Sequence, residues 1–243
     1  MKKLILFFFI LQINFLFSAQ MSDVVYLALT HPSCSKEILE KYISDGGNVN
    51  VRSPSTGHTF LYAAIRFANL DLVKCILEKN PDPNLPDSQT NRTPLILACA
   101  QGNIEIVKCL LNNKNKPDID FRDQNNETAL IHAARGGHIE IVKILLANNS
   151  NILLKNYPDK TAYDSAVERS EFYFKHFQET KNKSFLKMAT EHKIIAKLIF
   201  DKFIEQNPDI LCSEMLRNKN LFNIVSEYNL GLTEEETDAS TKK

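Results

Sequence analysis

The chain has 243 residues with 29 basic and 29 acidic side chains, so its formal net charge is zero. That balance offers no electrostatic footprint for nucleic acid, and seven glycines and nine prolines are too few for a low-complexity chain. Five cysteines, an odd number without the spacing of a small disulfide scaffold, point to free thiols rather than a covalent framework.

Residues 1–19 have the layout of a secretory signal. Lys2-Lys3 is followed by an apolar run from Leu4 to Phe17, and Ser18 and Ala19 are small residues at a plausible cleavage point. The run is short for a membrane span and contains Gln12 and Asn14. The expectation is a secreted or periplasmic protein with no membrane segment after processing; translation from Met21 would instead leave a cytoplasmic one. Residues 20–56 read as a worn helix pair, with a short first helix from Val24 to Leu29 and a second from Lys36 to Ile43.

Residues 57–180 repeat. Thr59, Thr93, Thr128 and Thr161 follow one another at intervals of 34, 35 and 33 residues. Five residues after each stands alanine: Ala64, Ala98, Ala133 and Ala166. Two after come Leu61, Leu95, Leu130 and Tyr163. Two before come Gly57, Asn91, Asn126 and Asp159, the residue types that tolerate a left-handed backbone. Threonine is a good helix N-cap, and Pro94 suits a first helical position. The most regular unit runs from Asn126 to Lys155: a short helix over Ala129 to Arg135, a break at Gly136-Gly137, then an apolar second helix from Ile139 to Leu146. Helices so short and apolar are unstable alone and need neighbours of their own kind. The first two periods run one or two residues over 33, and the extra residues are expected in the loops from Pro81 to Pro86 and from Pro117 to Asp120. The fourth unit decays after Ala166. Lys175, Gln178 and Glu179 stand where the regular unit has second-helix apolar residues, while Phe172, Phe174 and Phe177 are expected to pack beneath a cap.

Residues 181–232 read as a helical extension. Ser184 to Gln206 forms a helix with Phe185, Met188, Ile195, Ile199 and Phe203 on one face, and Met215 to Tyr228 supplies more helix. Residues 233–243 are polar, and disorder is expected there.

The period near 33, with Thr128, Leu130, Ala133, Gly137, His138, Val142, Leu145 and Leu146 in order, resembles the ankyrin repeat family. The resemblance is specific over 57–166, weak on either side to 23 and 206, and absent beyond. It implies an all-α ankyrin-repeat solenoid of helix-turn-helix units joined by hairpin loops, with a helical C-terminal extension. It also implies a non-enzymatic module that binds a partner protein through a concave face of hairpin tips and first helices. Carried over by position, the partner-binding candidates are His58, Arg66, Phe67, Arg92, Gln101, Arg122, Gln124, Asn125, Glu127, Arg135, Tyr157 and Lys160. Asp123 matches the family's acidic hairpin residue. The arginines in this strip predict a basic face suited to an acidic partner segment.

No phosphate loop, nucleophile elbow or metal-ligand spacing is present. His31 and Cys34 are a lone pair of ligand types, and His132 and His138 fall at recurring structural positions. No catalytic residue, metal or cofactor is expected, and a monomer is. The Lys-, Asn- and Ile-rich usage with a signal suggests a bacterium with an AT-rich genome. The two roles this suggests are a host-directed effector and a periplasmic scaffold protecting an envelope enzyme.

Overall fold

The computed structural model describes residues 36–53 and 56–207. The signal, the helix expected over 24–29, Cys34, Cys212, Ser55 and everything after 207 lie outside them. The elements are α1 (Lys36–Ser44), α2 (Phe60–Arg66), α3 (Leu70–Glu78), α4 (Pro94–Ala100), α5 (Ile104–Leu111), α6 (Ala129–Gly136), α7 (Ile139–Ala147), α8 (Ala162–Thr180) and α9 (Lys183–Gln206). Among the described residues the only other pairing is an isolated bridge between Arg52 and Thr59. No helix among them is long and apolar enough to cross a membrane.

Each first helix starts where the threonine stands. Thr59, Thr93, Thr128 and Thr161 accept from the N–H of Tyr62, Ile96, Ile131 and Asp164, satisfying one of the orphan donors of the first turn. The turns before them take positive φ at Gly57, Asn91, Asn126 and Asp159. Second helices α3 and α5 are capped in the same way by Asn69 and Asn103.

First helices stack on first helices, α2 on α4 on α6 on α8, and second on second, α1 on α3 on α5 on α7 on α9. One core runs through the array. Leu61, Leu95 and Leu130 are buried on the first helices, where Ala64, Ala98, Ala133 and Ala166 let the backbones approach. Val73 and Ile76, Val107 and Leu110, Val142 and Leu145 do the same on the second helices. No unit could bury this surface alone, so the stack is the fold. Cys75, Cys99 and Cys109 are free thiols.

The structure corrects three expectations. Residues 162–180 form one helix rather than a decaying helix pair, and α9, packed on α7, is the second helix of the last unit. The cause is the missing break. Ala68, Gly102 and Gly137 take positive φ and end the earlier first helices, whereas the equivalent Ser170 stays helical and donates its hydroxyl to Ala189 O of α9 at 3.0 Å. Phe172 and Phe174, at 48% and 46% exposure, therefore lie on solvent-facing parts of α8 instead of in a core, and Met188 is exposed on α9. Ala189, His192, Ile195, Ala196 and Ile199 are the buried residues of α9. Third, the residue extra to the first period sits in the hairpin, not in the loop from Pro81 to Pro86. Asp87 N–H pairs with Arg92 O, five residues on, whereas Asp123 N–H pairs with Glu127 O, four residues on.

Candidate functional site

Four hairpin turns project between the units, and each is closed by the side chain that opens it. Asp87 Oδ1 accepts from the N–H of Gln89 and Thr90. Asp123 Oδ1 accepts from the N–H of Asn125 and Glu127. Asn156 Oδ1 accepts from Lys160 N–H, and Ser53 Oγ from Thr56 N–H. These short polar side chains close turns by local bonds of this kind.

Three of these residues also tie their hairpin to the unit before it. Asp87 Oδ2 accepts from Tyr62 Oη at 3.1 Å, Asp123 Oδ2 from Arg92 Nε at 3.3 Å, and Asn156 Nδ2 donates to Glu127 Oε1 at 3.2 Å. Backbone bonds add a ladder along the tips, Gln124 N–H to Thr90 O and Tyr157 N–H to Asn125 O. The tips are therefore one braced strip rather than independent loops.

At the centre of the strip lies a buried polar network of Asp123, Glu127 and His132, with Arg135 and Arg92 reaching in. Arg135 grips Glu127 with both ends of its guanidinium, and its Nη2 lies 3.2 Å from His132 Nδ1. An arginine only donates, so Nδ1 is the acceptor. His132 Nε2 then donates to Asp123 Oδ2 at 2.9 Å. Burial pushes the Asp123 carboxyl upward, but the bonds from His132 and from the N–H groups of Glu127 and Asn125 outweigh it and bring its pKa down to about 2. Asp87 is lowered in the same way against its burial, by Thr90, Gln89 and Arg92. Burial, and then the charge of Asp87, push Tyr62 up to about 12.

Asp123, Glu127 and His132 are three ligand types within 4.8 Å of one another. Their lone pairs are already taken by Arg135, Arg92, Asn156 and backbone N–H groups. A cation would have to displace Arg135 from Glu127 to enter, so the cluster works as a brace.

The structure sorts the sequence candidates. Arg66, Phe67, Gln101, Arg122, Gln124, Asn125 and Tyr157 are exposed. Phe67 at 45% and Tyr157 at 72% are the large apolar surfaces among them. Gln101 Nε2 donates to Arg66 O at 3.1 Å, joining the ends of α4 and α2.

His58 and Glu127 are buried, contrary to expectation. His58 stacks on Tyr62 with ring centroids 4.7 Å apart; burial, then Arg66, lowers its pKa, with Asp87 opposing. Glu127 is consumed by Arg135 and Asn156. Arg92, Arg135 and Lys160 are half-buried and paired, with Asp123, Glu127 and Glu168 respectively. The expected basic strip is thus largely neutralised within the fold. Arg66, Arg122 and Arg169 form no ion pair among the described residues, and Arg122 donates to Asn126 Oδ1 at 3.2 Å.

The residues that organise the strip, Asp87, Asp123 and Asn156, were not among the binding candidates. Their signal was positional: each is a short polar residue five or six places before a capping threonine.

Comparison with known families agrees with this architecture. The family model described as ankyrin repeats, in three copies, matches residues 25–123, 61–156 and 115–211. No curated protein matches the chain. With stacked helix pairs, capping threonines and braced hairpins accounted for, the chain belongs to the ankyrin repeat family.

Proposed function

We propose that this chain, whose ankyrin repeats are in general protein–protein interaction modules, is a non-enzymatic binding module that engages a partner protein through the face made of hairpin tips and first helices. The observation that carries the reading is the braced strip with exposed side chains. Phe67 and Arg66 stand at the end of α2, Gln124 and Asn125 at a tip, and Tyr157 at the next. A rigid strip loses little entropy on binding, and exposed aromatic and arginine side chains are the usual anchors of an interface. An acidic segment of the partner fits Arg66, Arg122 and Arg169, whose guanidinium groups form no ion pair among the described residues.

The module is secreted on this reading, because Lys2-Lys3 and the apolar run to Phe17 form a signal. A host-directed role in a bacterium follows as the setting for a secreted binder. N-terminal sequencing of exported protein should begin near Ala19 or Gln20; intact Met1 or Met21 in the cytosol would remove secretion from the proposal. Affinity capture on the exported chain, read by mass spectrometry, should recover one partner. Phe67→Ala and Tyr157→Ala should weaken its binding by about tenfold each. Arg66→Glu should do so mainly at low salt. Undiminished binding by all three variants would place the interface elsewhere.

A further inference from the structure

The array ends on an apolar face. α4 and α6 each lie between two other first helices, whereas α8 packs on α6 and on its own partner α9. Tyr163, Val167 and Phe174 follow one another on α8 at intervals of four and seven residues, which keeps them on one stripe of the helix. Leu186, Phe200 and Ile204 share a stripe of α9 in the same way. The two stripes run side by side in the antiparallel pair, with the Tyr163 and Phe200 rings 6.5 Å apart. Ile204 is half a turn out of phase with the buried Ile195, so its stripe looks away from α7. Phe174 at 46% and Leu186 at 38% are exposed, and the other four are half-buried.

The chain that follows α9 has the complementary pattern. Leu221, Ile224, Val225 and Tyr228 stand at i, i+3, i+4 and i+7, the spacing of one helix face. A helix of that length is marginal alone and needs an apolar surface to pack on. The stretch from Asn207 to Met215 spans at most about 27 Å when extended. Leu186 to Ile204 on α9 covers about the same length at the helical rise, so the whole stripe is within reach. A tether this short sets an effective concentration on the order of millimolar, which a second copy or a foreign chain does not match in dilute solution. The charges agree as well. Lys181, Lys193 and Lys197 are exposed around the stripe, with Asp201 among them, and Glu234, Glu235, Glu236 and Asp238 follow the apolar segment.

We propose that residues 215–230 of the same chain dock as an amphipathic helix on the outer stripe of α8 and α9 and close the end of the array, drawing the acids after them toward Lys193 and Lys197. The docked helix takes the place that a further unit would occupy in a longer stack. Its surface lies at the end of the array rather than along the hairpin tips, so closure here and partner binding at the tips stand or fall separately.

The test places the photo-crosslinker p-benzoylphenylalanine at position 174 of the full chain, an exposed site where the substitution leaves the core alone. An equal mixture of unlabelled and nitrogen-15-labelled chains is irradiated in dilute solution, the unlabelled chain is irradiated separately in the expressing cell, and crosslinked peptides are identified by mass. Most crosslinks should join α8 to residues 215–230, with both peptides of one isotope. Pairs of mixed isotope would put a second copy on the stripe, and a foreign protein captured in the cell would put a partner there. Crosslinks that are absent or go elsewhere in the chain would leave the segment undocked. Each of these three results overturns the proposal. A second variant reads the contact from the other helix. Leu186→Asp sets a charge on the stripe at an exposed position and should lower amide protection over 215–230 by about tenfold or more, with α5 unchanged. Protection over 215–230 that is absent in the wild type, or unchanged in the variant, likewise overturns it.

Discussion

Asp123→Asn removes one negative charge from the middle of the hairpin strip while keeping the side chain's shape. The native carboxylate has a fully buried side chain and accepts from two backbone N–H groups, from His132 and from Arg92. Those bonds hold its pKa at about 2 against the upward pull of burial. Set against an unfolded value of about 3.9, the depression is worth about 2.5 kcal/mol when the group is ionised. Asparagine preserves Oδ1 for the turn, but its amide group confronts the His132 and Arg92 donors. Urea unfolding near neutral pH should therefore show a loss of about 2–3 kcal/mol. Because the folded value is the lower one, this stability is present above the unfolded pKa and lost as pH falls toward the folded one. About half of the gap between wild type and variant should remain near pH 3. A gap of the same size at both pH values, or none at neutral pH, would refute the account of Asp123 as a charged brace.

Leu130→Ala should cost about 2–5 kcal/mol as a buried large-to-small change in the most regular unit. Phe177→Ala, at a half-buried site on the last first helix, should cost less; hydrogen exchange should show the first spreading along the array and the second confined to α8 and α9. Ala68 holds positive φ (52°) where the two following units have glycine, so Ala68→Gly should be neutral or raise stability by up to about 1 kcal/mol by thermal unfolding. Arg135→Glu should lower the melting temperature as well as any binding, because it sets a second carboxylate against buried Glu127. An unchanged melting temperature would show that the network is not what holds the hairpin.

The repeat was legible because its signals are local. Thr59, Thr93, Thr128 and Thr161 cap helices through their own next turn, and Asn91 and Asn126 accept left-handed backbone wherever they stand. Alanines and leucines at fixed offsets mark the buried face whatever surrounds it. The candidate binding face was legible only as a set of positions. Arg92, Lys160 and Arg135 look alike in the sequence to Arg66 and Arg122, yet the first three are spent on Asp123, Glu168 and Glu127.

What the amino-acid order determined alone was the period, the helix starts, the turn residues and the shared core. Each depends on contacts within a unit or on a pattern copied from the next. What the tertiary structure decided was which charges remain for a partner, how far α8 runs without a glycine to stop it, and that α9 returns to place His192 under Gly137. Among them, the Arg92–Asp123 pair joins residues 31 positions apart and the His192–Arg135 contact residues 57 apart. Such pairings depend on how the units stack, which no spacing within a single unit specifies.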